Sequence, residues 1–258
     1  MFLAIDVGNT HIVLGVYDGY TLERHWRMQT DRERTSDEYG VTVRSLLAAL
    51  PGLKITAIAV SSVVPPINRT IEAMCRDYLG VTPLFVGPGV RTGMPILYDN
   101  PSEVGADRIV NAIAAYEQYG ADRQPIIVCD FGTATTLDAV SAAGEYLGGA
   151  ICPGVSISAD ALFQRAARLP RIEVRKPAAV VGKTTVGAME SGLFFGYVGM
   201  VEGLVRRMTD ELGGHATVVA TGGLATVIAP ETPLIQHVDN ELTLQGLRIV
   251  WERNHQRT

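Results

Sequence analysis

The sequence has no excess of basic residues: 22 lysines and arginines stand against 27 aspartates and glutamates, a net charge of −5, and no basic cluster offsets it. A protein that follows a phosphate backbone usually carries a basic stripe, so nucleic acid is not expected as a partner. Cysteine is scarce too. Cys75, Cys129 and Cys152 are scattered, without pairing or metal-ligand spacing. That argues against a disulfide framework or a zinc site and suits reduced thiols in a cytoplasm. The five histidines form no cluster, so no catalytic or zinc histidine is expected. Long hydrophobic runs are missing as well. The longest uncharged stretch, Leu212 to Pro230, holds four glycines, three threonines and His215, which suits a strand and turn better than a membrane span. The opening Met1-Phe2-Leu3-Ala4-Ile5-Asp6 has no basic lead and no cleavable apolar core, so secretion is not expected. With 47% apolar and 19% charged residues over 258 positions, the chain is an ordinary globular protein of one large domain or two small ones.

What the sequence does have is an internal echo. Ile5-Asp6-Val7-Gly8-Asn9-Thr10 is followed by the apolar run Ile12 to Val16. At an offset of 124 residues, Cys129-Asp130-Phe131-Gly132-Thr133-Ala134-Thr135-Thr136 is followed by Leu137 to Val140, aligning Asp6 with Asp130 and Gly8 with Gly132. A turn closes each second strand, Asp18-Gly19 in one copy and Ser141 to Gly144 in the other, and a third strand-like run follows, Tyr20 to Met28 and Glu145 to Cys152. Repeats with this strand–turn–strand–turn–strand opening point to a duplicated unit.

The rest alternates helix and strand. Helical spacing covers Ser36 to Leu50 before the stop Pro51-Gly52, Ile67 to Leu79, Ser102 to Tyr119 with Ser102 as cap, Ile157 to Ala167, Val186 to Leu212 and Leu242 to Asn254. Strand patterns cover Ile55 to Ser61, Thr82 to Val86 and Ala216 to Ala220, the last leading into the turn Thr221-Gly222-Gly223. The expectation is an α/β fold: two mixed sheets flanked by helices, in halves of residues 1–120 and 121–258 joined near Gly120 to Pro125, facing each other across a cleft. The last helix is free to cross back to the first lobe. Phe194, Phe195 and Tyr197, in a glycine-rich helix with Met200, read as core or as a subunit interface, with the interface favoured.

A strand ending in Asp, then a tight glycine turn, places one carboxylate beside several free backbone N–H groups. Such a carboxylate can hold a cation directly or through water, while the N–H groups with Asn9, Thr10, Thr133 and Thr135 can bind phosphate oxygens. One Asp-x-Gly alone is usually a plain hairpin turn. Two at equivalent positions of a duplication fit a nucleotide triphosphate and its metal. Two other motifs fail. Gly182-Lys183-Thr184 lacks the P-loop glycine, since Pro177 stands in its place, and Gly87-Pro88-Gly89 lacks the third glycine of a dinucleotide fingerprint, Thr92 standing there.

The paired Asp-x-Gly turns and the Thr221-Gly222-Gly223 turn resemble the superfamily of acetate and sugar kinases, heat-shock ATPases and actin, whose duplicated fold is actin-like (ribonuclease H-like). Within it, Asp6-Val7-Gly8-Asn9-Thr10, Gly105-Ala106-Asp107-Arg108-Ile109-Val110-Asn111, Asp130 to Thr136 and Asp239-Asn240-Glu241-Leu242-Thr243-Leu244-Gln245-Gly246 closely resemble the type III pantothenate kinase family, in its order and spacing to about Val250. One departure is Thr184, where the family commonly has Asn; Thr185 is kept.

The resemblance implies ATP-dependent phosphorylation of pantothenate, the first step of coenzyme A biosynthesis, by a cytoplasmic homodimer with pantothenate pockets at the subunit interface. It implies an ATP phosphate turn of Asp6, Val7, Gly8, Asn9, Thr10, His11, Ile12 and Val13, a further phosphate contact from Thr133, and an adenosine turn with Gly222 and Gly223. Asp130 would hold a monovalent cation, potassium or ammonium, and Asp6 would hold Mg2+, directly or through water. Asp107 would accept the substrate proton, and Tyr98, Gly105, Ala106, Asp107, Arg108 and Thr185 would bind pantothenate. Elementary chemistry agrees with these roles. Phosphoryl transfer needs positioning and charge neutralisation, and Arg108 offers a planar fork for a carboxylate. Asp107, beside Arg108 near a helix start, has surroundings that favour its ionised form. Taken alone, Asp107-Arg108 reads equally as a solvated ion pair, Tyr98 as packing, Thr185 as a helix cap, and Asp138 as a supporting acid or a structural one. The competing readings are a sugar kinase, for which the chain is short, an actin-like or chaperone-like ATPase switch, and a non-catalytic regulator resembling a Bvg accessory factor. An intact Asp107 with both turns argues for catalysis.

Overall fold

The computed structural model describes residues 1–50, 52, 54–166 and 168–255. Its chain divides into two compact units. The first comprises Met1–Gly93, Asp99–Ala114 and the closing helix from Leu242; the second comprises Met94–Tyr98 and Ala115–Glu241.

The first unit holds a five-stranded sheet of β1 (Phe2–Val7), β2 (His11–Asp18), β3 (Thr21–Gln29), β4 (Ala57–Ser62) and β5 (Leu84–Phe85), in the order β3-β2-β1-β4-β5. The hairpin strands β1, β2 and β3 pair antiparallel, whereas β4 lies parallel to β1 and β5 parallel to β4. The central strand β1 is apolar except for Asp6, as a strand covered on both faces requires. Leu3, Ile5 and Val7 pack with Tyr39, Val43, Ile71 and Met74 of α1 (Ser36–Leu47) and α2 (Asn68–Leu79). The helix α7 (Leu242–His255) packs on β1 and β4. There, Phe2 and Trp251 rings meet at 5.4 Å, and Gly15 leaves room for Leu244, whose Cδ1 would lie 2.7 Å from an added Cβ. The edge strand β3 is largely exposed and polar, with Arg24, His25 and Arg27 along it.

The second unit repeats the topology. Its strands are β6 (Ile126–Phe131), β7 (Ala134–Val140), β8 (Tyr146–Pro153), β9 (Thr217–Thr221) and β10 (His237–Val238), in the order β10-β9-β6-β7-β8. Again the first three strands are antiparallel, and β9 and β10 add in parallel. The long helix α5 (Thr185–Glu211) covers this sheet, with Phe194, Val198, Val201 and Val205 against Ile127, Cys129 and Phe131. Phe194 and Tyr197 are buried inside the unit, so they serve its core rather than an exposed interface. The Tyr197 hydroxyl lies 2.7 Å from Ser158 Oγ and donates to the Pro153 carbonyl.

The expected elements are present and differ at their ends, while the short helix Ala225–Ile228 and the edge strand β10 were not expected. The helix α3 runs Ala106–Tyr119 instead of starting at Ser102. Pro101–Glu103 forms a separate 3₁₀ turn in which the Asn100 side chain accepts from the Ser102 amide, so Ser102 is capped rather than capping. The helix α1 stops at Leu47, three residues early, and Pro51, part of its expected stop, lies outside the described residues. The helix α4 spans Val155–Arg165; Ala167, the expected end, also lies outside them. At α5 the cap is Thr184, whose hydroxyl accepts from the Gly187 amide at 3.0 Å, while Thr185 is the first helical residue. Among the described residues no helix is long and apolar enough to cross a membrane.

Candidate active site

In the first unit β1 ends in Asp6-Val7, and Gly8, Asn9 and Thr10 turn the chain into β2. The Gly8 amide donates to the His11 carbonyl at 3.0 Å, closing the turn. Val7, Ile12 and Asp6 stay in the ladder, Val7 opposite Ile12 and Asp6 opposite Val13. Of the eight residues from Asp6 to Val13, therefore, Gly8, Asn9 and Thr10 make the turn, while the others build the strand ends that hold it. Asn9, Thr10 and His11 are exposed and Asp6 is half-buried.

The start of α3 lies at the same end of this sheet. The Val63 amide, just past β4, donates to the Val7 carbonyl at 3.1 Å. A Cβ added to Gly105 would lie 3.5 Å from Val63 Cγ1 and 2.5 Å from Asp107 Oδ1. The chain Val7–Val63–Gly105–Asp107 thus brings the carboxylate to the end of the sheet that carries the glycine turn. Asp107 Oδ1 accepts from the Arg108 amide at 2.8 Å within the first turn of α3. The free N–H groups and positive end of a helix suit a carboxylate there. Ala106 and Arg108 are buried, Gly105 and Asp107 half-buried. Arg108 is therefore no solvated surface cation.

In the second unit β6 ends in Asp130-Phe131, and only Gly132 and Thr133 separate it from β7. At the end of β9, Gly222 takes φ +89°, and a Cβ on it would stand 2.4 Å from Asp130 Oδ1 and 2.7 Å from Phe131 backbone atoms. Glycine there lets backbone approach the carboxylate as no other residue could. Gly223, next to it, is exposed ahead of the short helix α6 (Ala225–Ile228). Another glycine that sequence reading missed closes the turn: a Cβ on Gly154, the residue before α4, would stand 2.1 Å from the Thr133 carbonyl oxygen. The available signal was Pro153-Gly154 directly ahead of a helical pattern.

Tyr98 and Thr185, expected to share a substrate pocket, sit on different elements of this unit. Ile96 makes an isolated bridge to Tyr146 of β8, and the Tyr98 ring lies 6.4 Å from that of Tyr146, over Gly148. Thr185 instead lines a largely apolar cavity of about 540 Å3 with Leu162, Leu169, Met189 and Leu193. Beneath Tyr98, the fully buried Asp138 accepts from the Tyr146 hydroxyl at 2.7 Å and from Thr136 Oγ1 at 3.1 Å. Asp138 is thus a satisfied interior carboxylate tied to β8, whose Tyr146 ring neighbours Tyr98.

Two buried hydroxyls stand beside the turns. Ser61, in register with Asp6, and Thr135, in register with Phe131, have hydroxyls with no hydrogen-bond partner among the described residues. No cluster of three or more His, Cys, Asp or Glu side chains able to hold a metal occurs among them either. A magnesium ion needs no such cage, because it is usually held by one or two carboxylates, waters and the substrate's phosphates. Asp6 is a donor of that kind.

A profile of the type III pantothenate kinase family matches residues 2–207. The chain is 58% identical over 257 residues to a type III pantothenate kinase of Myxococcus xanthus, covering 99% of both, and 56% identical over 257 residues to one of Brevibacillus brevis, covering 98% of this chain and 99% of that one. Among solved structures, it is similar to a putative 2-dehydro-3-deoxygalactonokinase of Sinorhizobium meliloti (TM-score 0.62, 11% identity, all of both chains) and to a putative Baf family transcriptional activator of Campylobacter jejuni (TM-score 0.62, 17% identity, 98% of both). At those identities the likeness is one of actin-like kinase fold alone and lends no weight to a regulatory role. Full-length identity above one half, together with the family profile, places the sequence: the chain belongs to the type III pantothenate kinase family.

Proposed function

We propose that this chain transfers the γ-phosphoryl group of ATP to the primary hydroxyl of pantothenate, with Asp107 as the proton acceptor. The observation that carries the reading is the placement of Asp107: a carboxylate in the first turn of α3, beside glycine, at the end of the sheet that carries the Gly8 turn. The substrate hydroxyl gives its proton to Asp107 as its oxygen bonds to the γ-phosphorus, and the bond to the β-phosphate oxygen breaks to release ADP. With the Gly8 amide closing the turn, the backbone N–H groups of Asn9 and Thr10 bind phosphate oxygens, and Thr133 adds a contact from its own turn. Gly222 and Gly223 offer flat backbone to the adenosine. Arg108 pairs with the pantothenate carboxylate, with Gly105, Ala106, Tyr98 and Thr185 completing that pocket.

Magnesium, when bound, neutralises the charge that builds on the transferring phosphoryl group. Asp6, directly or through water, is the residue to hold it, and Asp130 is the residue to hold a monovalent cation, potassium or ammonium. The halves 1–120 and 121–258 are read as the two lobes of each chain, with the last helix crossing back to the first, and the chain as a cytoplasmic homodimer.

The test is ADP release coupled to ATP, magnesium and pantothenate, in potassium and in sodium. Turnover that requires pantothenate and is faster in potassium is expected, and Asp107→Asn should lower kcat by about 10²–10⁴-fold. Absence of pantothenate-dependent turnover would remove the substrate assignment. An Asp107→Asn enzyme at full rate would remove the base.

A further inference from the structure

The loop after β3 carries two arginines two residues apart, in different electrostatic settings. Arg34 is matched: its Nε lies 3.7 Å from Asp31 Oδ2, and its guanidinium stands over the Tyr39 ring at 5.8 Å. Arg32 has no such acid. Its Nη2 donates to the side-chain carbonyl of Asn9, at 3.1 Å, in the Gly8 turn, and among the described residues no carboxylate pairs with it. A neutral amide orients the guanidinium without cancelling its charge, and it occupies only one of five N–H donors.

The loop is fastened to that turn. Thr30 Oγ1 donates to the Gly8 carbonyl at 2.6 Å, and the Thr30 amide donates to the Thr10 carbonyl at 3.0 Å. On the other side the Asp31 amide donates to the Tyr39 hydroxyl at 3.0 Å, and that hydroxyl donates back to the Asp31 carbonyl at 2.7 Å. Tyr39 is fully buried in the core, so the residues before Arg32 are held both to the turn and to α1.

The turn itself lacks positive charge. No lysine or arginine occurs before Arg24, and its own ionisable group nearest the glycine is the acid Asp6. A polyphosphate brought to this turn would meet backbone donors but no lysine or arginine from β1 or β2. We propose that Arg32 is a phosphate-binding residue: the loop of Thr30 to Arg32 presents its guanidinium, steered by Asn9, to the anionic oxygens of a nucleoside triphosphate on the Gly8 turn. This rests on the reading of that turn as the ATP phosphate site. Arg32 is exposed, so a ligand can reach it, and its fork suits two phosphate oxygens at once.

The experiment is calorimetric binding of a non-hydrolysable ATP analogue with magnesium, and of adenosine, to the full chain without pantothenate. Arg32→Gln should weaken the triphosphate about 10- to 100-fold, Arg32→Lys should fall between it and the unaltered protein, and Arg34→Gln should bind normally. Adenosine affinity should be the same in all four proteins. Triphosphate affinity of Arg32→Gln within about twofold of the unaltered protein would overturn the assignment, since a charge-assisted contact is worth more. An equal loss in Arg34→Gln, or an equal loss for adenosine, would also overturn it, because either marks a distorted loop. The two readings fail separately: a chain that binds the triphosphate through Arg32 yet never phosphorylates pantothenate loses only its acceptor substrate.

Discussion

The two sheets have the same strand order and the same parallel and antiparallel pairs, yet they differ where chemistry is expected. The helix that follows the third strand shows it first. In the first unit this is α1, capped by Thr35 and Glu38 in a reciprocal capping box. In the second it is α4, whose N-cap is Gly154 with no side-chain cap at all. A better cap has no room there, because the Thr133 carbonyl occupies the place of a Cβ. The strand partner of each aspartate differs in the same sense. After Ser61, in register with Asp6, comes Ser62, whose hydroxyl bonds Asn68 and the Val64 amide. After Thr221, in register with Asp130, comes Gly222, pressed on the carboxylate. One duplicated scaffold therefore keeps stabilising side chains at positions where its other copy gives them up for close backbone approach.

The largest expected effect inverts a propensity rule. Serine is a better N-cap than glycine by a few tenths of a kcal/mol, so Gly154→Ser ought to help α4. With the Cβ 2.1 Å from the Thr133 oxygen, it should instead displace the second glycine turn and lower kcat/KM for ATP by about a hundredfold, a scale that small misplacement can reach. Gly222→Ala should do the same and cost about 3 kcal/mol of stability from the clash and the positive φ together. The control is Ser62→Ala in the first unit, with Cβ already present; it loses local hydrogen bonds worth about 1 kcal/mol. Equal kinetics for Gly222→Ala and Ser62→Ala would end the comparison.

A second contrast lies one strand over. By strand register, Asp138 of β7 corresponds to Gly15 of β2: each stands opposite the residue two before the turn aspartate, Val128 and Ala4. Gly15 admits Leu244 of α7, while Asp138 is a buried carboxylate served by Tyr146 and Thr136. Removing the donor in Tyr146→Phe keeps the ring and leaves Asp138 less satisfied, which should cost about 1–3 kcal/mol in chemical denaturation. Because the Tyr98 ring lies tilted against that ring, the proposed role of Tyr98 in binding pantothenate predicts that KM for pantothenate rises several-fold while KM for ATP stays, a split on the order of 1 kcal/mol. A rise in both would make the pair a purely structural support of the sheet.

The repeat, the three-strand opening of each copy and the two Asp-x-Gly turns were legible because they are local: alternation, glycine and a fixed offset carry them, whereas the parallel places of β4, β5, β9 and β10 in the sheets depend on crossovers that no local pattern states. Helix ends were read less well, since they depend on caps that only three dimensions reveal. Asn100 overrode Ser102, and Thr184 took the capping role that Thr185 also fitted. Gly154 and Arg32 were invisible for a different reason. Gly154 is required by a carbonyl 21 residues earlier, and Arg32 acquires its meaning from Asn9, 23 residues away, through a loop with no motif of its own. Asp138 could be read either way until Tyr146 supplied its partner.

Smaller effects separate the units by stability alone. Thr35→Ala should cost about 1 kcal/mol and act only through α1. Its partner Glu38 has its carboxyl held below the usual value by the Thr35 backbone and side-chain hydrogen bonds, so this contribution is present above pH 4.5 and fades as pH falls below it.

The smallest effect at neutral pH is an alkaline one, and it asks whether the two cores are equally closed. Each unit buries one thiol: Cys75 on α2 and Cys129 on β6. Burial, with Glu72 nearby, pushes Cys75 from 9.0 up to about 12, and burial with Asp138 and Asp130 raises Cys129 further. A raised folded value means that the native chain holds its proton where the unfolded chain has lost it. Stability from this source is thus complete below pH 9 and falls as pH rises from 9 toward 12, by about 1 kcal/mol per pH unit for each thiol. Denaturant titrations between pH 7 and 11 should show no slope from these groups up to pH 9 and a decline beyond it. Cys75→Ala, whatever its packing cost at every pH, should remove its own share of that decline and leave the share of Cys129. If Cys75→Ala keeps the full alkaline slope, the α2 thiol already ionises in the folded chain, and the first core is the more open of the two.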